Sequence, residues 1–371
     1  MDELLQIERD FKRHEDAKAM AKEVDDFFSC YENSNICAIL ADQIARNSID
    51  KAKSDLYKEK AEECEKEASF YLSKLRLSPS ELAKLKKRKL PKGFDKFIGE
   101  DCLKEYLKES LIPYWKDHKL NQRQKSGILF YGPEGGSKSV FIQTLIHELN
   151  ATPYYLNPLD NYSPFGDNTK AQMQQLFKLA EEKDNVVFYI TEPVCFFPSE
   201  SSKNNKATAK LFLKLIKKEI KRVRKLNLNI LFVAGTSCPD KMTVKAFGKG
   251  MFDDLMRLHH PDRTVRKELM EDRLKGVEFE DKDAIDKLTP ITHGYIAKEV
   301  SRLCKRIHYV SELYIKDGKS GVITNDMLDR ILKEFGPQDD LGFKSTVDKF
   351  EASLPSSVTI TNDVKKSEMN K

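Results

Sequence analysis

The chain has 371 residues, long enough for two domains and a sizeable hydrophobic core. Its 64 basic and 59 acidic side chains leave a net charge of +5, too mild to point to nucleic acid. No apolar run approaches the roughly 20 residues that span a bilayer, and Met1, Asp2 and Glu3 open the chain without an apolar leader, so a cytoplasmic setting is expected.

Residues 1–77 carry three helical patterns and almost no glycine or proline. The first runs through Leu4, Ile7, Phe11, Ala17, Val24 and Phe28, and the second through Ile36, Ile39, Leu40 and Ile44. The third, Leu56 or Tyr57, Ala61, Cys64, Ala68, Tyr71 or Leu72, and Leu75, is the cleanest. One apolar stripe per helix, with charged opposite faces, predicts a helical hairpin or three-helix bundle. Residues 78–93 form a basic linker with Lys84, Lys86, Lys87, Arg88 and Lys89. It reads as a solvated helix or tether, or else as a nuclear-import signal or a contact for an acidic surface such as lipid or a tubulin tail.

From Phe94 short strands alternate with helices. Strands are predicted at residues 128–131, 154–156, 186–190 and 230–234, with a weaker one at 255–258. That alternation predicts an α/β fold, an open parallel sheet with helices on both faces, over 94–262. Residues 263–345 read as a small helical lid, and 346–371 as a polar tail expected to be disordered at its end. The seven cysteines (Cys30, Cys37, Cys64, Cys102, Cys195, Cys238 and Cys304) never take a Cys-x-x-Cys spacing and read as free thiols.

The segment Gly132, Pro133, Glu134, Gly135, Gly136, Ser137, Lys138, Ser139 follows the first strand and opens onto the apolar helical pattern Val140, Phe141, Leu145, Ile146. Strand, tight turn and helix N-terminus are what a phosphate-cradling loop needs, with free N–H groups aimed at the anion. Lys138 stands where a phosphate-binding lysine belongs, and Ser139 where a magnesium-binding hydroxyl belongs. Ser137 occupies the place of a glycine. If that position requires a positive φ, a serine costs roughly 1–2 kcal/mol, which weakens the loop without abolishing it.

Together with this loop, Phe94, Asp95, Ile98 and Gly99, the run from Ser126 to Pro133, Gly250 to Asp253, Pro261, Asp262, Arg266 and Thr292 to Tyr295 resemble the AAA ATPases. The resemblance is to the meiotic clade of katanin, spastin, fidgetin and the vacuolar-sorting ATPase, and it spans about Phe94 to Gly336. The N-terminal helices are similar to the microtubule-interacting-and-trafficking domain. The resemblance implies a P-loop NTPase sheet with a helical lid, an AAA oligomer, and ATP or ADP as cofactor. The nucleotide would be held by Ile98, Gly99, Gly132, Pro133, Glu134, Gly135, Gly136, Ser137, Lys138, Ser139, Val140 and Gly294, with weak magnesium binding at Ser139. Implied partners are AAA homologues, filament subunits or microtubules.

The departures from the family pattern concern hydrolysis. Glu192 keeps the position of the base that polarises water, but Thr191 replaces the magnesium-supporting aspartate before it. Ser237 stands at the polar sensor, usually an asparagine. Met251 and Asp254 replace two arginines that the family offers to a neighbouring subunit, so a neighbour using this face would meet a methionine and a carboxylate. Arg257 is a weak substitute. Phe165 falls in the pore loop, where Ser163 and Pro164 replace its basic and tryptophan positions, and a plain turn is an equally good reading. Between Lys203 and Lys225 there are ten basic residues and one acid, Glu219, which is a solvated face on a core helix or a cationic patch for an acidic partner. The expected function is a hydrolysis-impaired ATP-binding protein acting as a regulatory or scaffold subunit in a cytoskeletal or membrane-remodelling assembly. The alternative is a slow ATPase that severs or disassembles filaments.

Overall fold

The computed structural model describes residues 7–8, 11–12, 14–16, 18–19, 22, 27–48, 50–74, 91–123, 125–156, 169–183, 185–191, 193–199, 206–248, 250–333, 341–354 and 360. The chain divides into two compact units: Met1–Arg88, Gly276–Asp281 and Lys305–Gly336 in one, and Lys89–Lys275, Lys282–Cys304 and Pro337–Lys371 in the other.

In the first unit, helix α1 (Phe27–Asn47) folds back onto α2 (Lys51–Lys74). The Asp50 carboxylate accepts from the Ala52 N–H at 3.0 Å and caps the start of α2. Cys37, Ala38, Ala41 and Ile44 of α1 and Cys64 of α2 close a core around Phe11. The stripe expected on α2 faces this core, but on α1 the small residues turn inward and Ile39 of the expected stripe is 60% exposed. Glu67 of α2 is clamped by Lys18 and, at 2.9 Å, by Lys22. Most of the basic linker lies outside the described residues.

The second unit is built on five parallel strands. Helices α3 (Asp101–Ser110) and α4 (Ile112–Lys116) precede β1 (Gly127–Tyr131), after which α5 (Lys138–Glu148) leads to β2 (Thr152–Leu156). Helix α6 (Thr169–Glu181), β3 (Val186–Ile190), α7 (Pro193–Phe196), α8 (Lys206–Lys225), β4 (Ile230–Thr236) and β5 (Phe252–Arg257) follow. The sheet order is β2-β3-β4-β1-β5, so the α/β fold class expected from the sequence is present. Every residue of β1 and β3 is buried, which is why both read as unbroken apolar runs. Val187 and Tyr189 of β3 pack on one face with α5, whereas Val186, Phe188 and Ile190 pack on the other with Phe212, Ile216 and Ile220 of α8.

Strand β5 starts earlier than its sequence suggested, at Phe252. Two adjacent aspartates do not read as a strand, and their charge is met by tertiary partners described below. Helices α9 (Arg263–Arg273), α10 (Ala284–Ile291), α11 (Ala297–Lys316), α12 (Asn325–Lys333) and α13 (Leu341–Ser353) follow. In the first unit, Phe279 and Ile323 form an isolated bridge ahead of α12.

The boundary expected at residue 345 falls inside α13. This helix buries Val347 and Phe350 in the sheet core, with the Phe350 ring 5.1 Å from both Tyr131 and Phe247. Beyond it, Ile360 bridges Leu255 at the free edge of β5. Residues 361–371 lie outside the described set. Among the described residues no helix is long and apolar enough to cross a membrane.

Candidate nucleotide site

The carboxyl ends of β3, β4 and β1 meet at one edge of the sheet, and the loop from Gly132 to Ser137 leaves from the middle of it. The Gly132 N–H donates to the Thr236 carbonyl at 3.3 Å, which places Ser237 beside the loop's entry. A Cβ at Gly132 would lie 2.7 Å from the Leu258 carbonyl oxygen, so only glycine lets the strand end pass β5 here. Gly135 turns with φ 73°, and Ser137 with φ 42° and ψ 0° immediately before α5. The position does require a positive φ. Ser137 adopts the glycine-like conformation and bears the strain, so the cradle keeps its shape.

Lys138 curls over this turn, its ammonium donating to the carbonyls of Gly132 at 2.9 Å and Pro133 at 2.6 Å. Those contacts hold the lysine head above the concave side of the loop, where a polyphosphate would offer stronger acceptors. Val140 is buried behind the loop, while Glu134 and Ser139 are exposed. The segment before α11 also reaches this loop. Gly294 turns with φ 82°, and the Lys298 N–H near the start of α11 donates to the Gly135 carbonyl at 3.2 Å.

Ile98 and Gly99 arrive by a separate anchor. Phe97 and Phe94 flank Phe141 of α5, with ring centroids 5.0 and 5.7 Å away. Gly99 packs on Val265 of α9, whose start is capped by Asp262 accepting from the Val265 N–H at 2.8 Å. Arg266 on the same helix is buried, donates to the Pro261 carbonyl at 2.9 Å, and has its pKa lowered by that burial.

Thr191 ends β3 at this edge, but its hydroxyl donates to the Leu156 carbonyl of β2 at 3.4 Å. The neighbour of Ser139 is Tyr189 instead, whose phenol donates to the Ser139 oxygen at 3.3 Å. Tyr189 was not singled out in the sequence, because an aromatic inside a buried strand reads as core. Among the described residues, the Ser237 hydroxyl has a 3.9 Å contact with the Cys238 sulfur. Glu192 and Phe165 lie outside the described residues.

Comparison with known proteins assigns the fold's family. Residues 128–259 match the profile of the family described as "ATPase family associated with various cellular activities (AAA)". The chain carries an AAA ATPase domain. It is similar to Protein SAV of Sulfolobus acidocaldarius, at 23% identity over 209 residues, 56% of this chain and 26% of that protein. It is also similar to "Putative cell division cycle ATPase" of Plasmodium falciparum, at 24% identity over 178 residues, 48% of this chain and 14% of that one. The chain thus matches about a quarter or less of the length of these relatives.

An AAA domain implies nucleotide binding, and the loop with Lys138 fits a polyphosphate. Magnesium fits less well. A hard dication seeks oxygen ligands with negative charge, and the described part of this edge offers two hydroxyls that already have partners and no carboxylate.

The other end of the AAA sheet is where a neighbour was expected to meet Met251 and Asp254. That expectation is corrected, since both side chains are fully buried. Met251 belongs to the sheet core. Asp254 pairs with Arg123, accepts from Lys125 at 3.2 Å, and receives the Tyr106 hydroxyl at 3.2 Å. Arg224 of α8 adds a further tie, donating to the carbonyls of Arg123 (at 2.8 Å) and Lys125, and burial lowers its pKa. Arg257 sits at the opposite end of β5, with its guanidinium 3.4 Å from the Glu351 carboxylate of α13.

Proposed function

We propose that this AAA domain binds ATP or ADP but hydrolyses it slowly or not at all, and that the chain works as a regulatory or scaffold subunit. The observation that carries this reading is Thr191. It takes the place of a magnesium-supporting aspartate, and its hydroxyl donates to the Leu156 carbonyl. The buried Asp254 agrees with it, because a carboxylate enclosed by Arg123 and Lys125 lends no cation to a neighbour's phosphate. Ser237, shorter than the family's sensor, agrees as well. The N-terminal helices of residues 1–77 are taken as a docking module of the microtubule-interacting-and-trafficking kind, followed by the linker of 78–93. The AAA large part covers 94–262 and its helical lid 263–345, and the relationship is to the meiotic clade.

Helix α8 suits such a role. Its exposed residues include Lys210, Lys214, Lys218, Lys221 and Lys225, at three- and four-residue steps along one face. Among the described residues no carboxylate pairs with any of them. Like charges at i and i+4 cost a helix about 0.2–0.5 kcal/mol each, a cost that an acidic protein partner would relieve.

The second reading, a slow ATPase acting on filaments, rests on Lys138 and Ser139 standing together at the loop. Parallel measurement of nucleotide affinity and phosphate release separates the two. Micromolar binding with no steady-state turnover above a Lys138→Ala control is the expected result. Turnover abolished by Glu192→Gln would establish the second reading instead.

A further inference from the structure

The partner of the would-be metal ligand has changed identity. In a site built for magnesium, a ligating hydroxyl is helped by a neighbour that accepts its proton, which leaves the oxygen's lone pairs more basic. At Ser139 the polarity is reversed. Tyr189 reaches the same oxygen from β3, two residues before Thr191 and on the face that packs against α5, and donates to it at 3.3 Å. A donated phenolic proton competes with a cation for the same lone pairs. In either hydrogen-bonding role a neutral phenol brings no negative charge.

The alternative support has gone elsewhere, since the Thr191 hydroxyl donates to Leu156 across the β2–β3 pair. The two residues lie two positions apart, at the end of β3 and just beyond it, and Tyr189 is the one that meets the Ser139 oxygen. The phosphate-holding groups do not depend on them: Lys138 and the loop backbone are set by Gly132, Gly135 and Ser137. Nucleotide can therefore be held by lysine and backbone donors while the metal's share of the binding is lost.

We propose that Tyr189 is a positioning residue that takes the place of the missing carboxylate at Ser139 and makes the site a nucleotide cradle indifferent to magnesium. This rests on the reading of the loop as a nucleotide site. Its consequence is that cellular magnesium would not select between ATP and ADP here through the metal, so occupancy would follow the phosphates alone.

The test is a titration of the full chain with fluorescent ADP and ATP, in magnesium and in chelator, for the wild type, Thr191→Asp, Tyr189→Phe and the double variant. The wild type is expected to change affinity less than about twofold between the two conditions. The double variant, with a carboxylate restored and the phenol removed, is expected to gain about 10–100-fold from magnesium, the range that outer-shell partners contribute to metal affinity. The gain should exceed the sum of the single variants. Manganese added to ADP-loaded protein gives a second readout by paramagnetic resonance, in which the wild type leaves the ion's signal as ADP alone does and the double variant quenches it further. Wild-type affinity that rises tenfold with magnesium, or a Thr191→Asp response that Tyr189→Phe leaves unchanged in both readouts, would overturn the inference while leaving nucleotide binding intact. Absence of any nucleotide binding by the wild type would overturn the nucleotide reading itself, and this inference with it.

Discussion

The two ends of the AAA sheet have been remodelled in opposite ways. At the carboxyl end, around Gly132 to Ser139, the backbone keeps a phosphate cradle and the change lies in which side chain meets which hydroxyl. At the amino end, around Met251 to Asp254, β5 shifts register against β1 between Phe252 and Asp254, and the Asp254 carboxylate lies in a buried ion cluster. The first change spares binding, because backbone N–H groups and one lysine suffice to hold an anion. The second cannot be undone by small side-chain motion, because Asp254 is fully enclosed and held by Arg123, Lys125 and Tyr106. One end keeps the shape of an anion site, and the other is a buried ion cluster that serves the fold.

The sharpest way to break this comparison is at Asp254. Replacing it with alanine leaves Arg123 buried without its anion and removes the acceptor for Lys125 and Tyr106. Removing one partner of a buried pair costs about 3–5 kcal/mol, a large share of a domain's stability. Thermal or urea unfolding should show that loss. Asp254→Arg, the change that would imitate the family, should be worse still, because it sets a third cation against Arg123 and Lys125. A variant of near wild-type stability would mean that the amino end tolerates an arginine and that its burial carries no meaning for assembly.

At the cradle end the largest effect belongs to Lys138. A charged hydrogen-bond donor contributes about 1.5–3 kcal/mol, so Lys138→Ala should weaken ATP and ADP roughly 10–150-fold. Fold stability should hardly move, because the lysine's present acceptors are loop carbonyls that water can satisfy. Equal affinity in the variant would remove the cradle reading and leave this end as a turn with a fortuitous sequence.

What the sequence could convey follows the same division. Strands β1, β3 and β4 were legible because each is an apolar run buried on both faces, and the loop was legible because its glycines and lysine have a fixed spacing. Strand β5 was only partly legible, since Asp253 and Asp254 contradict strand propensity and their partners are distant in sequence, at Arg123 to Gly127. Helix α13 was missed for a related reason. Its Val347 and Phe350 make a short stripe in a polar segment, and only packing on Tyr131 and Phe247 gives that stripe a purpose. Tyr189 carried no signal at all, because its role depends on a hydroxyl meeting a residue fifty positions away.

The smallest effect is the most informative about Ser137. Its φ of 42° is one that L side chains visit at a cost of roughly 1–2 kcal/mol. Ser137→Gly removes that strain, but the added freedom of the unfolded chain takes back about 0.5–1 kcal/mol. A net gain below about 1 kcal/mol is expected, visible as a rise of a few degrees in the melting temperature. Nucleotide affinity should change less than about threefold, because the backbone already follows the path a glycine would take and its N–H groups do not need to be re-aimed. A gain well above that, measured by the same fluorescent titration, would mean that the serine side chain itself obstructs the phosphates. The cradle, and not the end of β3, would then be what limits phosphate binding.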